Sequence, residues 1–235
     1  LFGGAGMAAA VAALEATTQR PPIWATAQYL SYARPPSVMD LDVLVPVSGK
    51  HTSQARVIAH VADAEILTVN AALGSRPGDV SEQWAVAPNV PAPEDCPVRE
   101  HSWARDGEDI HMLFDERAIK GRFGKLRDGG ASDDGHCLLW VRPRDPATPI
   151  DRVTLAVIAD FLPSGIGSAL GRMAGGISLD NALRIRGLVE TDWVLCDIRI
   201  HAAHAGFVHG RMHLFARDGT LMATASQSMI LRIHD

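Results

Sequence analysis

One order of elements occurs twice in this sequence, and it constrains the fold more than any other feature: an apolar helix followed by strands. Residues 3–17 are rich in alanine and leucine, which favour a buried helix, and Pro21-Pro22 ends it. Four β-branched and aromatic segments follow, separated by turn residues. These predicted strands cover residues 23–32, 40–47, 52–61 and 66–72.

The second copy of this order begins near residue 148. Thr148, Pro149 and Asp151 are typical of a helix start, with a hydroxyl N-cap, a proline at the first helical position and an acid at the third. The apolar run that follows predicts a helix over 153–162, which the next proline and glycine disturb or end. The strands predicted after it cover 177–185, 193–202, 206–215 and 221–231, with Asp218-Gly219 as a hairpin turn.

The two copies overlay at an offset of about 150 residues. In this overlay Arg34 falls opposite Arg186, and Asp63 falls opposite Asp218. An apolar helix followed by a curled antiparallel sheet is the order of a hot-dog fold, in which the sheet wraps the helix. We therefore predict an α+β, double hot-dog fold, with two tandem helix-wrapped antiparallel β-sheet repeats in 235 residues. The alternative is an α+β domain in which this order is a coincidence.

A proline-rich segment over about 74–109 separates the two copies and predicts a linker or a long surface excursion. The chain therefore divides into an N-terminal hot-dog repeat over 1–109, which includes this segment, and a C-terminal repeat over 110–235. In the second repeat, residues 110–114 and 138–141 resemble additional strands.

Composition narrows the classes of partner and the cellular setting. The chain has 22 basic and 27 acidic residues and only 6% aromatics, so we expect no nucleic-acid partner. The apolar runs are too short to span a membrane, so we expect no membrane partner. The three cysteines are widely spaced and form no CxxC pair, so neither a disulfide framework nor a zinc site is predicted. A reducing, cytoplasmic setting fits this cysteine content.

Several segments, in this order, resemble the acyl-CoA thioesterase II family, which has a double hot-dog fold. The likeness covers residues 1–73 and 150–232. In the N-terminal half it rests on residues 1–4, 29–35 and 54–57, and in the C-terminal half on 158–161, 178–180, 193–195, 206–210 and 218–227.

The resemblance implies hydrolysis of fatty acyl-CoA thioesters, and so a place in fatty acid and lipid metabolism. Family members use an Asp, a Ser or Thr, and a Gln to position a water. The carboxylate accepts the proton of the water, the amide and hydroxyl orient it, and backbone N–H groups near a helix start stabilise the oxyanion. By motif matching, the Asp falls on Asp180 and the Gln on Gln227.

The hydroxyl position falls near His201, where this chain departs from the family pattern. A histidine there could hold the water, or act as the base with Asp180 as its partner. Strand alternation places His201 on the polar face, which favours ordinary solvent exposure unless a bulge intervenes. A second departure is Asn181, which follows Asp180 where the family more often has a histidine.

Other chemical signals in the sequence are weak. Four histidines lie within 201–213, but Arg211 stands between two of them on one strand face and disfavours a metal ion. Residues 165–171 half-resemble a dinucleotide-binding loop but lack a preceding strand, so they predict a helix terminus. No GxSxG nucleophile elbow occurs. A short basic run could meet the phosphates of coenzyme A or form a solvated loop. This run consists of Lys120, Arg122, Lys125 and Arg127.

The sequence therefore predicts an acyl-CoA thioesterase, a thioester hydrolase that acts on an acyl-CoA substrate through Asp180, Gln227 and His201. We expect it to need no metal or bound cofactor and to form a homo-oligomer. One alternative is an enoyl-CoA hydratase-like enzyme that uses Asp180 and His201. The other is a non-catalytic acyl-CoA or lipid-binding hot-dog protein.

Overall fold

The computed structural model describes residues 2–99, 109–121, 132 and 134–234. In this part of the chain eleven strands form one antiparallel sheet. The strands are β1 (Pro22–Tyr29), β2 (Asp40–Ser48), β3 (Thr52–Val61), β4 (Ala64–Gly74), β5 (Phe114–Lys120), β6 (His136–Pro143), β7 (Ala174–Ser178), β8 (Asp180–Ile185), β9 (Val194–His204), β10 (Phe207–Ala216) and β11 (Leu221–Ile233). The helices are α1 (Gly3–Thr18), α2 (Arg152–Ala159) and α3 (Ser164–Leu170), with short 3₁₀ turns at Pro93–Asp95 and Ile110–Leu113.

Eight of the eleven strands form two sets of four joined edge to edge, and β6 and β5 extend the second set beyond β9. The full order is β2-β3-β4-β1-β8-β11-β10-β9-β6-β5, and β7 pairs with β11 outside this path. The first set follows α1 and reads β2-β3-β4-β1, while the second follows α2 and α3 and reads β9-β10-β11-β8. Strands in corresponding chain positions therefore occupy corresponding places. The two sets meet where β1 pairs with β8, for example at Ala25 and Leu183.

The helices cover one face of this sheet, which we call the inner face. A helix that is apolar on all sides is stable only when it is buried, and α1 is of this kind. Met7, Val11 and Leu14 of α1 are fully buried, as is Leu155 of α2. Burial of each such side chain stabilises the fold by roughly 1.5–3 kcal/mol. The inner face and the helix layer thus form the main core.

A second, smaller core lies on the opposite, outer face of the sheet. Part of the proline-rich segment crosses this face and packs Ala85, Ala87, Val90 and Cys96 against it. The side chains buried there are Cys96, Leu138, Trp140, Trp193, Leu195 and Phe215. Gln83 fastens the segment to the β10–β11 turn, since its Nε2 donates to Gly219 O (3.0 Å) and its Oε1 accepts from Leu221 N (2.7 Å). The part of the segment around residues 83–96 is therefore a packed surface excursion.

The second helix differs from the sequence prediction at both ends. Its N-cap is Asp151, not Thr148, because the Asp151 carboxylate accepts a hydrogen bond from the Thr154 N–H at 2.8 Å. The helix ends at Ala159, and α3 follows after a turn. Gly171 ends α3 with φ 66°, in agreement with the predicted helix terminus.

The stretch Arg152–Leu170, which spans both helices, is long and apolar enough to cross a membrane by length and composition. Most of it is buried within the structure, as in the core helices of globular proteins.

Two further predicted strands were also inaccurate. The strand over 177–185 is broken at Leu179, whose backbone C=O accepts from Tyr29 N, so that β7 pairs with β11 while β8 continues to β1. Residues 110–113 form a 3₁₀ turn, and β5 begins at Phe114. Three members of the predicted basic run, Arg122, Lys125 and Arg127, lie outside the described residues. Its fourth member, Lys120, pairs with Asp134 at 2.9 Å.

Gly4 lies where the first turn of α1 meets the end of α2. A Cβ atom at this position would lie 2.8 Å from both Asp160 Cβ and Val157 O. We expect Gly4→Ala to lower the free energy of unfolding by about 1–3 kcal/mol, because overpacking forces the helices apart. Gly78→Ala is the matched control, since a Cβ there meets no atom within 4 Å. Urea denaturation of both variants measures the effect, and equal stabilities would contradict the close helix contact.

Candidate active site

Asp160 is a carboxylate buried inside the main core. It is the C-cap residue of α2 and only 4% exposed, and the adjacent Ala159 and Phe161 are equally buried. A charged group in such a place is costly unless hydrogen bonds compensate for its lost hydration. The surroundings of Asp160 supply these hydrogen bonds.

Three donors from three different elements bind the Asp160 carboxylate. The backbone N–H of Gly4, in the first turn of α1, donates to Oδ2 at 2.7 Å. The Ser178 hydroxyl, at the end of β7, donates to Oδ1 at 3.0 Å, and the Gln227 amide of β11 donates to the same oxygen at 2.7 Å. The N-terminus of α1 adds a positive partial charge beside this anion.

The pKa of Asp160 reflects a balance between burial and these donors. Burial raises the pKa from 3.8 to about 6, while the hydrogen bonds from Gln227, Gly4 and Ser178 and the nearby His111 act in the opposite direction. At neutral pH the carboxylate is therefore mostly ionised. A carboxylate with this pKa can accept a proton near neutral pH.

Strand alternation and pairing bring the polar side chains to this point. Along β11, Ala223, Ala225, Gln227 and Met229 face the inner side, so Gln227 is a polar residue in an apolar row. Ser178 pairs with Met229, two residues beyond Gln227. The interruption between β7 and β8 at Leu179 thus places the Ser178 hydroxyl beside the Gln227 amide.

Tyr29 of β1 and Asn181 of β8 complete the polar surroundings of Asp160. A Cβ at Gly3 would lie 2.9 Å from Asp160 Oδ2 and 3.0 Å from Tyr29 Cζ, so the carboxylate and the phenol ring flank the same glycine. Burial raises the pKa of Tyr29 well above its usual value, the charge of Asp160 raises it further, and Asn181 opposes both. Within the described part of the chain, four buried atoms here have no hydrogen-bond partner: Tyr29 Oη, Asn181 Oδ1 and Nδ2, and Gln227 Oε1.

Aromatic rings and a buried ion pair border the site. The His111 ring lies 4.5 Å from the Phe161 ring and 6.1 Å from the Phe2 ring, measured between centroids. Glu116 Oε1 lies 2.8 Å from His111 Nδ1, and its Oε2 lies 2.5 Å from Arg99 Nη1. The buried Arg99–Glu116 pair therefore holds the imidazole against the aromatic rings beside Asp160.

Of the residues that the sequence predicted for the site, Gln227 lies at Asp160, but Asp180 faces the other way. Asn181 and Leu183 of β8 point to the inner face, so the alternating Asp180 lies on the outer face, where it accepts from Ser228 N at 2.6 Å. The sheet therefore separates Asp180 from the Gln227 side chain.

His201 is exposed and lies at a β-bulge in β9, between Ile200 and Ala202. Two strands, β10 and β11, separate β9 from β8, so Asp180 and His201 lie roughly 14 Å apart across the sheet. The structure does not bring Asp180, Gln227 and His201 together. Their catalytic assignment stays a prediction.

The sequence interpretation did not select Asp160 or Ser178 as site residues. A signal for Asp160 was present, because it is the one charged residue in the apolar run 153–162. Ser178 carried no such signal, since a serine near a strand end is common in surface turns. Three N–H groups at the start of α1 already have acceptors within the protein. The N–H groups of Ala5 and Gly6 donate to Phe2 O, and that of Gly4 is taken up by Asp160.

No group of three or more His, Cys, Asp or Glu side chains able to hold a metal ion occurs among the residues that the structure describes. In the histidine-rich hairpin, His209 Nδ1 lies 3.1 Å from Ser228 Oγ, and Arg211 lies 3.4 Å from His213.

Comparison with known proteins identifies the family. Residues 88–231 match the family model described as acyl-CoA thioesterase C-terminal domain, which is more than half of the chain. The chain therefore belongs to this family of hot-dog thioesterases. No curated protein matches it.

Solved structures of similar proteins agree with the fold. A protein from Novosphingobium aromaticivorans, assigned as a thioesterase, is 36% identical, with a TM-score of 0.87 over 99% of this chain and 88% of that chain. A protein of unknown function with a hot-dog fold from Alicyclobacillus acidocaldarius is 21% identical, with a TM-score of 0.80 over 100% and 88% of the two chains. The acyl-CoA thioesterase II TesB2 of Mycobacterium marinum is 21% identical, with a TM-score of 0.78 over 100% and 90%.

The raised pKa of Asp160 predicts a pH-dependent stability. Because this pKa is about 6 in the folded state, against 3.8 for an ordinary aspartate carboxyl, the folded state favours the protonated form. This stabilisation is present below pH 3.8 and is lost as the pH rises through about 6. We expect the wild type to lose about 2–2.5 kcal/mol relative to Asp160→Asn between pH 4 and pH 7. Urea denaturation across this range measures the difference, and parallel curves for the two proteins would contradict it.

Proposed function

We propose that the protein hydrolyses acyl-CoA thioesters to a free fatty acid and CoA, with a water positioned by Asp160, Ser178 and Gln227. The observation that carries this proposal is the buried Asp160 carboxylate, bound by the Gln227 amide and the Ser178 hydroxyl. An Asp, a Ser and a Gln are the three residue types that the family resemblance implies for water positioning. Membership of the acyl-CoA thioesterase family supports the same substrate class.

The chemistry needs one proton acceptor and one oriented water. The water oxygen attacks the thioester carbonyl carbon while the ionised Asp160 takes one of its protons. The C–S bond then breaks, and the CoA thiolate receives that proton from Asp160, so that the products are the acid and the thiol. The unpaired Gln227 Oε1 can accept a hydrogen bond from the second O–H of the water and so fix the orientation of the water.

An alternative keeps Asp180 as the base. Its carboxylate is bound to Ser228 N on the outer face of the sheet, away from Gln227, so it would need a second water site there. Asp160→Asn and Asp180→Asn separate these two assignments. Both variants replace a carboxylate with an amide of the same shape, so only the variant that removes the base should lose activity.

We expect Asp160→Asn to lower kcat about 10²–10⁴-fold with a much smaller effect on KM, because the amide keeps the shape but cannot accept the proton. Asp180→Asn, the matched control, should retain near-parental turnover. Gln227→Ala and Ser178→Ala should have smaller effects, and the loss in Asp160→Asn/Gln227→Ala should be less than additive because both residues act on one water.

Release of free thiol from a panel of acyl-CoA substrates measures turnover, and melting temperatures confirm that each variant is folded. A large loss in Asp180→Asn with full activity in Asp160→Asn would move the base to Asp180. Binding of acyl-CoA by the wild type without thiol release would instead favour a non-catalytic binder.

We also propose that the two sets of strands are tandem hot-dog repeats, one over 1–109 and one over 110–235. The matching orders β2-β3-β4-β1 and β9-β10-β11-β8 support this proposal. Superposition of residues 23–73 on 177–232 tests it, and we expect the strands to align in order with their helices on the same face. A superposition that needs a different strand order would contradict the repeat.

We further propose that copies of the chain associate as a homo-oligomer. Three large apolar side chains of the proline-rich segment support this, since Val80, Trp84 and Val86 are each more than four-fifths exposed. Light scattering in solution measures the mass of the assembly, and a monomer would contradict the proposal.

A further inference from the structure

The site around Asp160 contains polar atoms that the protein itself leaves unused. The Asn181 side chain is fully buried, and neither its oxygen nor its nitrogen has a partner among the described residues. The Tyr29 hydroxyl oxygen is also buried and has no hydrogen-bond partner among these residues. Native proteins pair almost all buried polar groups, and an unpaired one lowers stability. Two such side chains side by side indicate that a bound molecule supplies their partner.

Sheet pairing brings these side chains together. Asn181 pairs with Ala27 of β1, and the backbone N–H of Tyr29 donates to Leu179 O at 3.0 Å. Tyr29 and Asn181 are therefore diagonal neighbours on the inner face, within reach of one ligand atom. On the other side of β8, Ser226 pairs with Ala182, so Asn181 also lies beside Gln227.

The free atoms differ in hydrogen-bonding character. The Gln227 amide nitrogen donates to Asp160 Oδ1 and to Ala159 O, so only its acceptor oxygen is left. Tyr29 Oη and Asn181 Nδ2 lie close to each other, but neither makes a hydrogen bond of normal geometry among the described residues, so Tyr29 O–H and Asn181 N–H can both donate to a ligand. Because burial and the charge of Asp160 raise the pKa of Tyr29 well above its usual value, the hydroxyl keeps its proton at neutral pH. Two convergent donors beside a base suit an acceptor oxygen on the reacting carbon.

We propose that the Tyr29 hydroxyl and the Asn181 amide bind the thioester carbonyl oxygen and stabilise its negative charge during hydrolysis. This role rests on the proposed function. As the water oxygen bonds to the carbonyl carbon, the carbonyl π electrons move onto this oxygen, and they return when the C–S bond breaks. Tyr29 and Asn181 donate hydrogen bonds throughout and transfer no proton. They take the place of the helix N–H groups, since those of Gly4, Ala5 and Gly6 are bound within the protein.

The first experiment is kinetic and uses matched pairs of variants. Asn181→Leu and Tyr29→Phe remove one donor each with little change in size, and we expect kcat to fall about 10²–10³-fold in each. Asn70→Leu and Tyr32→Phe make the same chemical changes at exposed positions and should leave kcat unchanged. Asn181→Leu should melt at or above the wild-type temperature, because it removes an unpaired buried amide. A residue with a merely structural role would instead lower the melting temperature and spare kcat.

The second experiment measures binding and needs no turnover. It compares a ketone analogue of acyl-CoA, in which a methylene replaces the thioester sulfur, with an alkyl-CoA thioether that lacks the carbonyl. We expect the wild type to bind the ketone about tenfold more tightly than the thioether, and this preference to disappear in Asn181→Leu and Tyr29→Phe. Asn70→Leu and Tyr32→Phe should keep it.

The two experiments separate failure of this inference from failure of the proposed function. Thiol release at the parental rate in Asn181→Leu and Tyr29→Phe, or a ketone preference that these variants keep, overturns the carbonyl site and leaves hydrolysis standing. Absence of any ketone preference in the wild type overturns it as well. If the wild type releases no thiol but its ketone preference depends on Tyr29 and Asn181, hydrolysis is wrong and the carbonyl-binding site stands.

Discussion

The hydrogen-bonded burial of one carboxylate organises this structure. Asp160 lies where α1, α2, β7 and β11 converge, and it accepts hydrogen bonds from Gly4, Ser178 and Gln227. Each of these three partners comes from a different element, so removal of any one leaves a buried charge less well compensated. The helix layer and the sheet must therefore hold their relative positions for this carboxylate to be tolerated, and the same positions create the candidate site.

The core around this carboxylate contains unpaired polar atoms, unlike the rest of the inner face. Elsewhere the inner face is packed with side chains such as Val57, Leu183 and Met212, which need no partners. Near Asp160 the chain instead buries Tyr29 and Asn181 with unpaired polar atoms. Such groups reduce stability, and they are retained at functional sites where a substrate supplies the missing contacts. The Arg99–Glu116 pair beside His111 extends this polar region toward β5.

Much of the fold followed from local patterns along the chain. Turn residues and β-branched segments predicted most strands to within a few residues, because the period of two and the turn chemistry are local properties. The pattern of apolar and polar residues also distinguished the two strand sets and their preceding helices. It did not predict the N-cap at Asp151, which depends on a hydrogen bond from Thr154 N to the Asp151 carboxylate. Nor did it predict the break at Leu179, where the backbone carbonyl between β7 and β8 accepts a hydrogen bond from Tyr29 N of β1.

The site divides in the same way between sequence and tertiary structure. The order of motifs along the sequence indicated the family and selected Gln227, because each motif is a short run of neighbouring residues. Only the tertiary structure placed Asp160 beside Gln227 and Asp180 on the opposite face, although both acids lie in segments that resemble the family. A side chain's face depends on strand parity, and parity in β8 is set by the break at Leu179 and by pairing with β1 and β11. These contacts join residues 38 or more positions apart in the chain, beyond the reach of any local pattern.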